Sequence, residues 1–202
     1  MFKIWNGWIV PSRDAEHVLN RRVIQCEDAF QRVKAFDIRR RVMVQAGANW
    51  GYWPIQFTNL FTTIYTFEPD HVCFTCLTTN SRNHGSVVTI QAALGDKREL
   101  VDLWRDHDTT GNQKINGQGI YPTLRIDDLN LPVCDLIYLD IEGQEPQAIL
   151  GAEETIRRCR PVVVIEETHL DLQQTARAYL MSYSYKADDH LIGNKDVVMR
   201  PC

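Results

Sequence analysis

The feature that most constrains the fold is an alternation of short apolar runs with segments of helical periodicity. After an amphipathic helix predicted over residues 13–36, each apolar run is typical of a buried strand and is followed by a helix-like segment. Strands that alternate with helices form a mainly parallel sheet covered on both faces, with ligands bound beyond the carboxyl ends of its strands. Strands are predicted at residues 42–46, 63–68, 87–94, 135–143 (strand and turn) and 160–167. Two final strands are predicted within residues 183–200.

The chain of 202 residues is long enough for one domain with a substantial core. We predict a single domain over residues 1–202, with an N-terminal helical extension at 1–40 and an α/β core at 41–202. The apolar face of residues 19–33 is expected to pack on this domain, and a contact in a homo-oligomer is the alternative. Segment 105–121 is polar and aperiodic, so we expect it to be a loop that, with the N-terminal helix, shapes the site.

Charge and hydropathy exclude several classes of partner. The formal net charge of -4 argues against a general binder of nucleic acid. No apolar stretch approaches the length of a membrane span, and the N-terminus lacks a signal-peptide core, so we expect no membrane partner and a cytoplasmic location. Cys73 and Cys76 form one CxxC without a second pair, which favours two small buried hydrophobes over a zinc or redox site.

A glycine-rich turn follows the first predicted strand of the core. Gly47 and Gly51 allow sharp backbone turns, and Asn49 tolerates a left-handed conformation. Glu68 ends the next strand 21 positions after Gly47, where an acid can accept hydrogen bonds from ribose hydroxyls. Dinucleotide and S-adenosylmethionine sites share this spacing. The pattern GxNxG differs from the dinucleotide fingerprint GxGxxG, and an acidic rim suits a sulfonium cation better than a pyrophosphate.

Four blocks together resemble the FkbM-like branch of class I S-adenosylmethionine-dependent methyltransferases: VQAGANWGYW, YTFEPD, LDIEGQEPQAILGA and RPVVVIEE, with PTLRIDDL between the second and third. The resemblance implies a Rossmann-like three-layer sandwich, with a mainly parallel seven-stranded sheet whose last strand is antiparallel. It also implies methyl transfer, most often to a hydroxyl oxygen of a small molecule or glycan. The family includes short viral forms, for which the cytoplasm is that of a host. The residues expected at the cofactor are Gln45, Gly47, Asn49, Gly51, Glu68, Pro69, Gln91, Ala92, Ala93 and Asp140.

Within this resemblance, the first block contacts the methionine half of the cofactor, Glu68 holds the ribose, and Gln91 to Ala93 lie near the adenine. Gln45 stands where many class I methyltransferases have an acid, and it keeps a hydrogen-bond acceptor while losing the charge. This departure gives some support to an alternative in which the chain is a catalytically inactive binding or scaffold protein of the same fold, although the other residues of the pattern are all present. An NAD-dependent oxidoreductase is a further alternative.

The candidate catalytic groups stand at the ends of two later strands. Asp140 and Glu142 are expected to face the sulfonium and the acceptor, unless they only stabilise their turn. A carboxylate of this set, Glu166 included, or His169 would serve as the base that removes a hydroxyl proton. An alternative mechanism uses Asp140, Glu166 and Glu167 to bind a divalent cation such as Mg²⁺.

Overall fold

The computed structural model describes residues 1–104, 109–166, 170–188 and 196–202, with the backbone alone at 170–173. The strands are β1 (Phe2–Trp5), β2 (Trp8–Pro11), β3 (Val42–Ala46), β4 (Thr63–Phe67), β5 (Val87–Ile90), β6 (Ala93–Leu94), β7 (Leu100–Trp104), β8 (Lys114–Gln118), β9 (Tyr121–Leu124), β10 (Leu136–Leu139), β11 (Val162–Glu166), β12 (Tyr185–Ala187) and β13 (Asp196–Pro201). The helices are α1 (Glu16–Lys34), α2 (Tyr52–Phe57), α3 (His71–Ser81), α4 (Glu145–Leu150), α5 (Glu153–Cys159) and α6 (Leu170–Ser182), with a 3-10 turn at Ile126–Leu129.

Seven strands form the main sheet, in the order β12, β13, β11, β10, β3, β4, β5. The strands from β11 to β5 are mutually parallel, and β13 runs antiparallel to both β11 and β12. This confirms the predicted mainly parallel sheet with an antiparallel final strand. The chain order reverses between β3 and β10, which makes the carboxyl ends of these two strands the topological switch point, where ligands bind in such sheets.

Both faces of the main sheet are covered by helices, so the domain has three layers. Alternate residues of a strand point to opposite faces, which requires apolar side chains at successive positions of a strand buried on both sides. Tyr138 therefore packs with α1 and α2, whereas its neighbour Leu139 packs with α4, α5 and α6. The apolar face of α1 packs on the sheet through Ala29 and Val33, as predicted.

The N-terminal extension is not purely helical, which corrects the sequence prediction. Strands β1 and β2 form an antiparallel hairpin before α1, with a left-handed turn at Asn6 and Gly7. The hairpin packs its tryptophans against Trp50 rather than joining the main sheet. None of the helices in the described ranges combines the length and the apolar character that a membrane crossing requires.

Three further elements differ from their predicted bounds. The strand predicted at 87–94 is divided, because β6 leaves the main sheet and pairs with β9 in a second sheet ordered β6, β9, β7, β8. Part of the predicted loop 105–121 is strand β8, which lies at the edge of that second sheet and is mostly exposed, so it shows no alternation of apolar residues. The helix predicted after residue 143 is two helices, separated where Gly151 approaches Gly95.

Candidate functional site

A cavity of about 700 Å³ opens at the carboxyl ends of β3, β4, β10 and β11, on the switch point of the sheet. This volume lies within the roughly 300–1,000 Å³ typical of small-molecule sites. The floor is formed by residues that follow the strands, and the facing wall by α1 and residues 109–113. The expectation that the N-terminal helix and the 105–121 segment shape the site therefore agrees with the structure. The predicted residues on the cavity surface are Gly47, Asn49, Glu68, Pro69, Ala92, Ala93, Asp140, Glu142 and Glu166.

The glycine turn folds tightly over the end of β10. The backbone amides of Gly47 and Ala48 donate to the carbonyl oxygen of Phe67 at 3.2 and 3.1 Å, which joins the turn to the end of β4. Gly47 has a φ of +84°, and a Cβ there would lie 1.9 Å from the backbone carbonyl oxygen of Asp140. A side chain at this position is therefore excluded both by the left-handed backbone and by the neighbouring strand.

Gly51 has a packing role rather than a place on the cavity wall. Its φ is +93°, and a Cβ would lie 3.2 Å from the Cα of Leu77 in α3. Between the two glycines, Asn49 also takes a left-handed conformation, with a φ of 50°. The turn thus uses its glycines to bring β3 close to β10 and to α3, and Asn49 reverses the chain between them.

Glu68 holds the glycine turn and the loop after β4 in one arrangement. Its carboxylate accepts hydrogen bonds from the backbone amides of Asn49 at 2.8 Å and of Asp70 at 2.9 Å. The residue is only 6% exposed, although it lines the cavity. Burial raises the pKa of Glu68 to about 7, against the opposing effect of the two amides. A carboxylate that accepts two hydrogen bonds still has lone pairs free to accept one from a ligand hydroxyl.

An acidic cluster formed by Asp140, Glu142 and Glu166 lies at the ends of β10 and β11. Carboxylate oxygens of the three residues lie within 4.8 Å of one another. Burial raises the pKa of Asp140 well above its usual range, and the charge of Glu166 and a hydrogen bond with it raise this pKa further. Both effects favour the protonated form of Asp140 over its carboxylate.

The turn that carries Glu142 is fixed by its own backbone and by Glu145. Glu142 and Gly143 both have a positive φ, of 54° and 100°. The carboxylate of Glu145 is buried and accepts a hydrogen bond from the backbone amide of Ile141 at 3.0 Å. Glu145 thus orders the turn that presents the acidic cluster to the cavity.

A buried polar network that the sequence did not predict links the glycine turn to α1 and to the 109–113 segment. Asp14 is fully buried and accepts from Arg22 Nη1 at 2.6 Å and from both the amide and the hydroxyl of Thr110 at 2.7 Å. The Thr110 hydroxyl also lies 3.1 Å from Asn49 Oδ1, and Asn49 Nδ2 donates to the Thr110 carbonyl at 3.2 Å. Three segments far apart in the chain therefore meet in one hydrogen-bonded unit beside the cavity.

The remaining predicted residues lie elsewhere. Gln45 is fully buried, receives a hydrogen bond from the Thr66 hydroxyl and donates to the Ala46 carbonyl at 3.0 Å. Of the described residues on the cavity wall, none is Gln45, Gly51 or Gln91, and Gln91 is exposed. The predicted direct contacts of these three with the cofactor find no support in this geometry.

Glu167 and His169, predicted as a metal ligand and a base, lie outside the described residues. The metal site predicted from Asp140, Glu166 and Glu167 stays a prediction. The CxxC residues Cys73 and Cys76 are buried in α3, as predicted. Burial raises the pKa of the Cys76 thiol to about 12, so this thiol stays protonated.

The sheet order and the cavity at its switch point define an α/β domain of the class I methyltransferase type, and comparison with known proteins agrees. The profile of the methyltransferase FkbM domain matches residues 45–188. The chain therefore belongs to the FkbM methyltransferase family. A comparison with curated protein sequences finds no significant match.

Solved structures share this fold at low sequence identity. The methyltransferase FkbM from Methylobacillus flagellatus KT aligns with a TM-score of 0.58 and 18% identity over 80% of this chain and 44% of that one. The chain thus spans less than half the length of that relative. Precorrin-6y C5,15-methyltransferase from Geobacter metallireducens GS-15 has a TM-score of 0.54 and 14% identity over 92% of each chain. M. jannaschii TYW2, solved in complex with AdoMet, has a TM-score of 0.52 and 12% identity over 98% of this chain and 83% of that one.

Proposed function

We propose that the chain is an S-adenosylmethionine-dependent methyltransferase that methylates a hydroxyl oxygen of a small molecule or glycan. The observation that carries the proposal is the cavity at the switch point, which combines the glycine turn, the buried Glu68 and the acidic cluster in one site. The family and the fold of the chain are those of methyltransferases. The oxygen specificity and the class of acceptor are our inference.

The chemistry of the cavity fits a nucleoside that carries a sulfonium. S-adenosylmethionine supplies an electrophilic methyl group on a positively charged sulfur. Glu68 offers a carboxylate to ribose hydroxyls, and its hydrogen bonds to the amides of Asn49 and Asp70 fix its position before a ligand arrives. Ala92 and Ala93 give a small apolar surface on the wall, which suits a flat base. The negative charge of the acidic cluster favours a cation at the centre of the cavity.

The acidic cluster also offers a route for the acceptor proton. A hydroxyl becomes a competent nucleophile as its proton is removed, which a carboxylate in hydrogen-bond range can do. Burial and the neighbouring Glu166 raise the pKa of Asp140, which favours a proton on this pair of acids. The ionised member of the pair is the base in this proposal, and the cavity wall holds the acceptor in line with the methyl group.

The alternative of an inactive scaffold protein rested on Gln45. Because Gln45 is fully buried and is hydrogen-bonded to Thr66 and Ala46, its amide replaces a charge inside the sheet and not on the cavity wall. A neutral side chain is the less costly one to bury there. The substitution of an acid by glutamine at this position therefore gives little support to loss of function.

Isothermal titration calorimetry with S-adenosylhomocysteine tests the proposal. We expect micromolar binding to the wild-type chain and none to Glu68→Ala, with Glu99→Ala, at an exposed acid just before β7, as the matched control. A parallel titration with NAD⁺ addresses the oxidoreductase alternative. Failure of a well-folded wild-type chain to bind S-adenosylhomocysteine would contradict the proposed function.

A further inference from the structure

The wall that faces the acidic floor of the cavity is basic. Arg13, Arg21 and Arg22 line it, all from the segment that leads into α1 and the first turns of that helix. Among the described residues, the acids that line the cavity stand at or just after the ends of strands of the main sheet. The basic and acidic residues that line the cavity therefore come from different parts of the chain, and Arg22 lies near enough to Glu68 for its charge to act on that carboxyl.

The basic wall keeps donors that the protein itself does not use. The guanidinium atoms Nε and Nη2 of Arg13 are shielded from solvent and have no hydrogen-bond partner within the described ranges. The same holds for Nε2 of Gln113, on the adjoining part of the wall. Arg22 differs, because its charge is already paired with Asp14 at 2.6 Å. Shielded donors without partners are unfavourable in a free protein, so a ligand that offers acceptor oxygens there would gain binding energy from them.

The N-terminus of α1 adds to the positive electrostatic potential of the basic wall. Ala15 is the N-cap of this 19-residue helix, and no side chain caps it. Ala15, His17 and Val18 line the cavity, so the positive end of the helix dipole lies at the wall that carries Arg13. Arginine forks together with a helix N-terminus form the usual environment of a phosphate group.

We propose that the acceptor is a phosphorylated small molecule, whose phosphate binds the basic wall through Arg13, Arg21 and Gln113 while its hydroxyl faces the acidic cluster. The role of the hydroxyl as the methylated group rests on the proposed function. The binding of an anion rests on the basic wall alone. A phosphate anchored at one end of the cavity would fix the hydroxyl at the other, which is the positioning that methyl transfer requires. A nucleic-acid acceptor is not part of the proposal, because the formal net charge of the chain is -4.

Titration of methyl phosphate, followed by ³¹P NMR and calorimetry at constant ionic strength, tests this inference. The titration is run on the free chain and on the chain saturated with S-adenosylhomocysteine, with acetate as the carboxylate probe. We expect saturable one-site binding of methyl phosphate, at least tenfold weaker in Arg13→Gln and at least fivefold weaker in Arg21→Gln. Arg82→Gln, at an exposed arginine after α3, is the matched control and should bind as the wild type does.

Each other outcome has a defined meaning. If the free and the saturated wild type both fail to bind methyl phosphate, or if acetate binds equally well, the phosphate site is refuted. If Arg13→Gln or Arg21→Gln loses S-adenosylhomocysteine rather than methyl phosphate, these arginines hold the carboxylate of the cofactor, and the inference is wrong while the proposed function stands. If wild type binds methyl phosphate but not S-adenosylhomocysteine, the anion site stands and the proposed function fails.

Discussion

The carboxylate of Glu68 accepts a hydrogen bond from the backbone amide of Asn49 at 2.8 Å, so the acid that ends one strand fixes the turn that follows its neighbour. The same carboxylate holds the amide of Asp70, which is the N-cap of α3. A single buried side chain therefore orders two loops of the cavity.

The affinity for S-adenosylhomocysteine should rise with pH. The pKa of Glu68 is raised to about 7 by burial, and in the proposed function the ribose hydroxyls of the ligand donate to its ionised form. Between pH 8 and pH 6 the ionised fraction falls by about tenfold, so the dissociation constant should rise by a similar factor. Calorimetry between pH 6 and pH 8 measures this change in the dissociation constant. Glu68→Gln should bind weakly and without this slope; a slope that persists in Glu68→Gln would assign the proton to another group.

The free energy of unfolding should respond to the same proton with the opposite sign. Because the pKa of Glu68 in the folded chain lies above the usual value of 4.5, the folded state holds the proton more tightly than the unfolded state does. The stabilisation is complete below pH 4.5 and is lost as the pH rises through 7, by about 3 kcal/mol. Urea unfolding of wild type and Glu68→Gln from pH 5 to 8 isolates this contribution, since the difference between the two should follow this slope. A difference in the free energy of unfolding that stays constant with pH would show that Glu68 has an ordinary pKa.

Replacement of Gly47 by alanine should unfold the domain or destabilise it by about 4 kcal/mol or more, since a new Cβ would overlap the Asp140 carbonyl at 1.9 Å. Gly7→Ala is the matched control. Gly7 has the same φ of +84° but nothing within 4 Å of a Cβ, so this variant should lose only about 1–2 kcal/mol from backbone strain. Urea unfolding compares the two, and equal losses would mean that the approach of the turn to β10 is not tight.

Asp14→Ala should destabilise the chain by about 3 kcal/mol, because it leaves Arg22 and the amide of Thr110 without their buried acceptor. The matched control is Glu153→Ala, which breaks the exposed pair with Arg157 one helical turn away. A pair of this kind contributes only about 0.5 kcal/mol or less. Denaturant unfolding of both variants provides the comparison, and similar small effects would mean that the network contributes no more than a surface pair.

The pKa of Asp140 should fall when Glu166 is replaced by glutamine. The change removes a like charge and places an amide donor beside the Asp140 carboxylate, and both effects favour the ionised acid. Carbon-13 NMR of labelled aspartate side chains follows this titration directly. Glu154→Gln, at an exposed acid of α5, should leave it unchanged. An unaltered Asp140 titration in Glu166→Gln would show that the two carboxylates are not coupled, and would remove the shared proton from the proposed mechanism.

The main sheet was predictable because its strands are buried on both faces and read as continuous apolar runs. Val44 and Met43 point to opposite layers, yet both must be apolar, so the strand appears in the sequence as a continuous apolar run and not as alternating apolar and polar residues. Strand β8 carries no such mark, because it lies at a sheet edge and most of its residues face solvent. The hairpin before α1 was missed for a different reason: its strands are only four residues long, and their buried apolar residues pack around Trp50 and not in the main core.

The floor of the site was predictable, and its wall was not. Glu68 and Asp140 follow directly from strands, so the parallel sheet determines that they meet at one edge. Asp14, Arg22 and Thr110 come together only through the packing of α1 and the 109–113 segment, and no motif links positions so distant in the chain. In the sequence, Asp14 before a helix that contains arginines looks like ordinary surface charge, and only the structure shows that this aspartate is buried.

The tryptophan cluster gives the chain a built-in spectroscopic reporter of the glycine turn. Trp50 lies between Asn49 and Gly51, with its ring centroid 5.3 Å from that of Trp8 and 6.1 Å from that of Trp5. Its backbone carbonyl accepts from Asn80 at 2.7 Å, which anchors the turn to α3. Any rearrangement of the turn changes the spacing of these indoles, so intrinsic fluorescence and near-ultraviolet circular dichroism can follow ligand binding in the unlabelled protein.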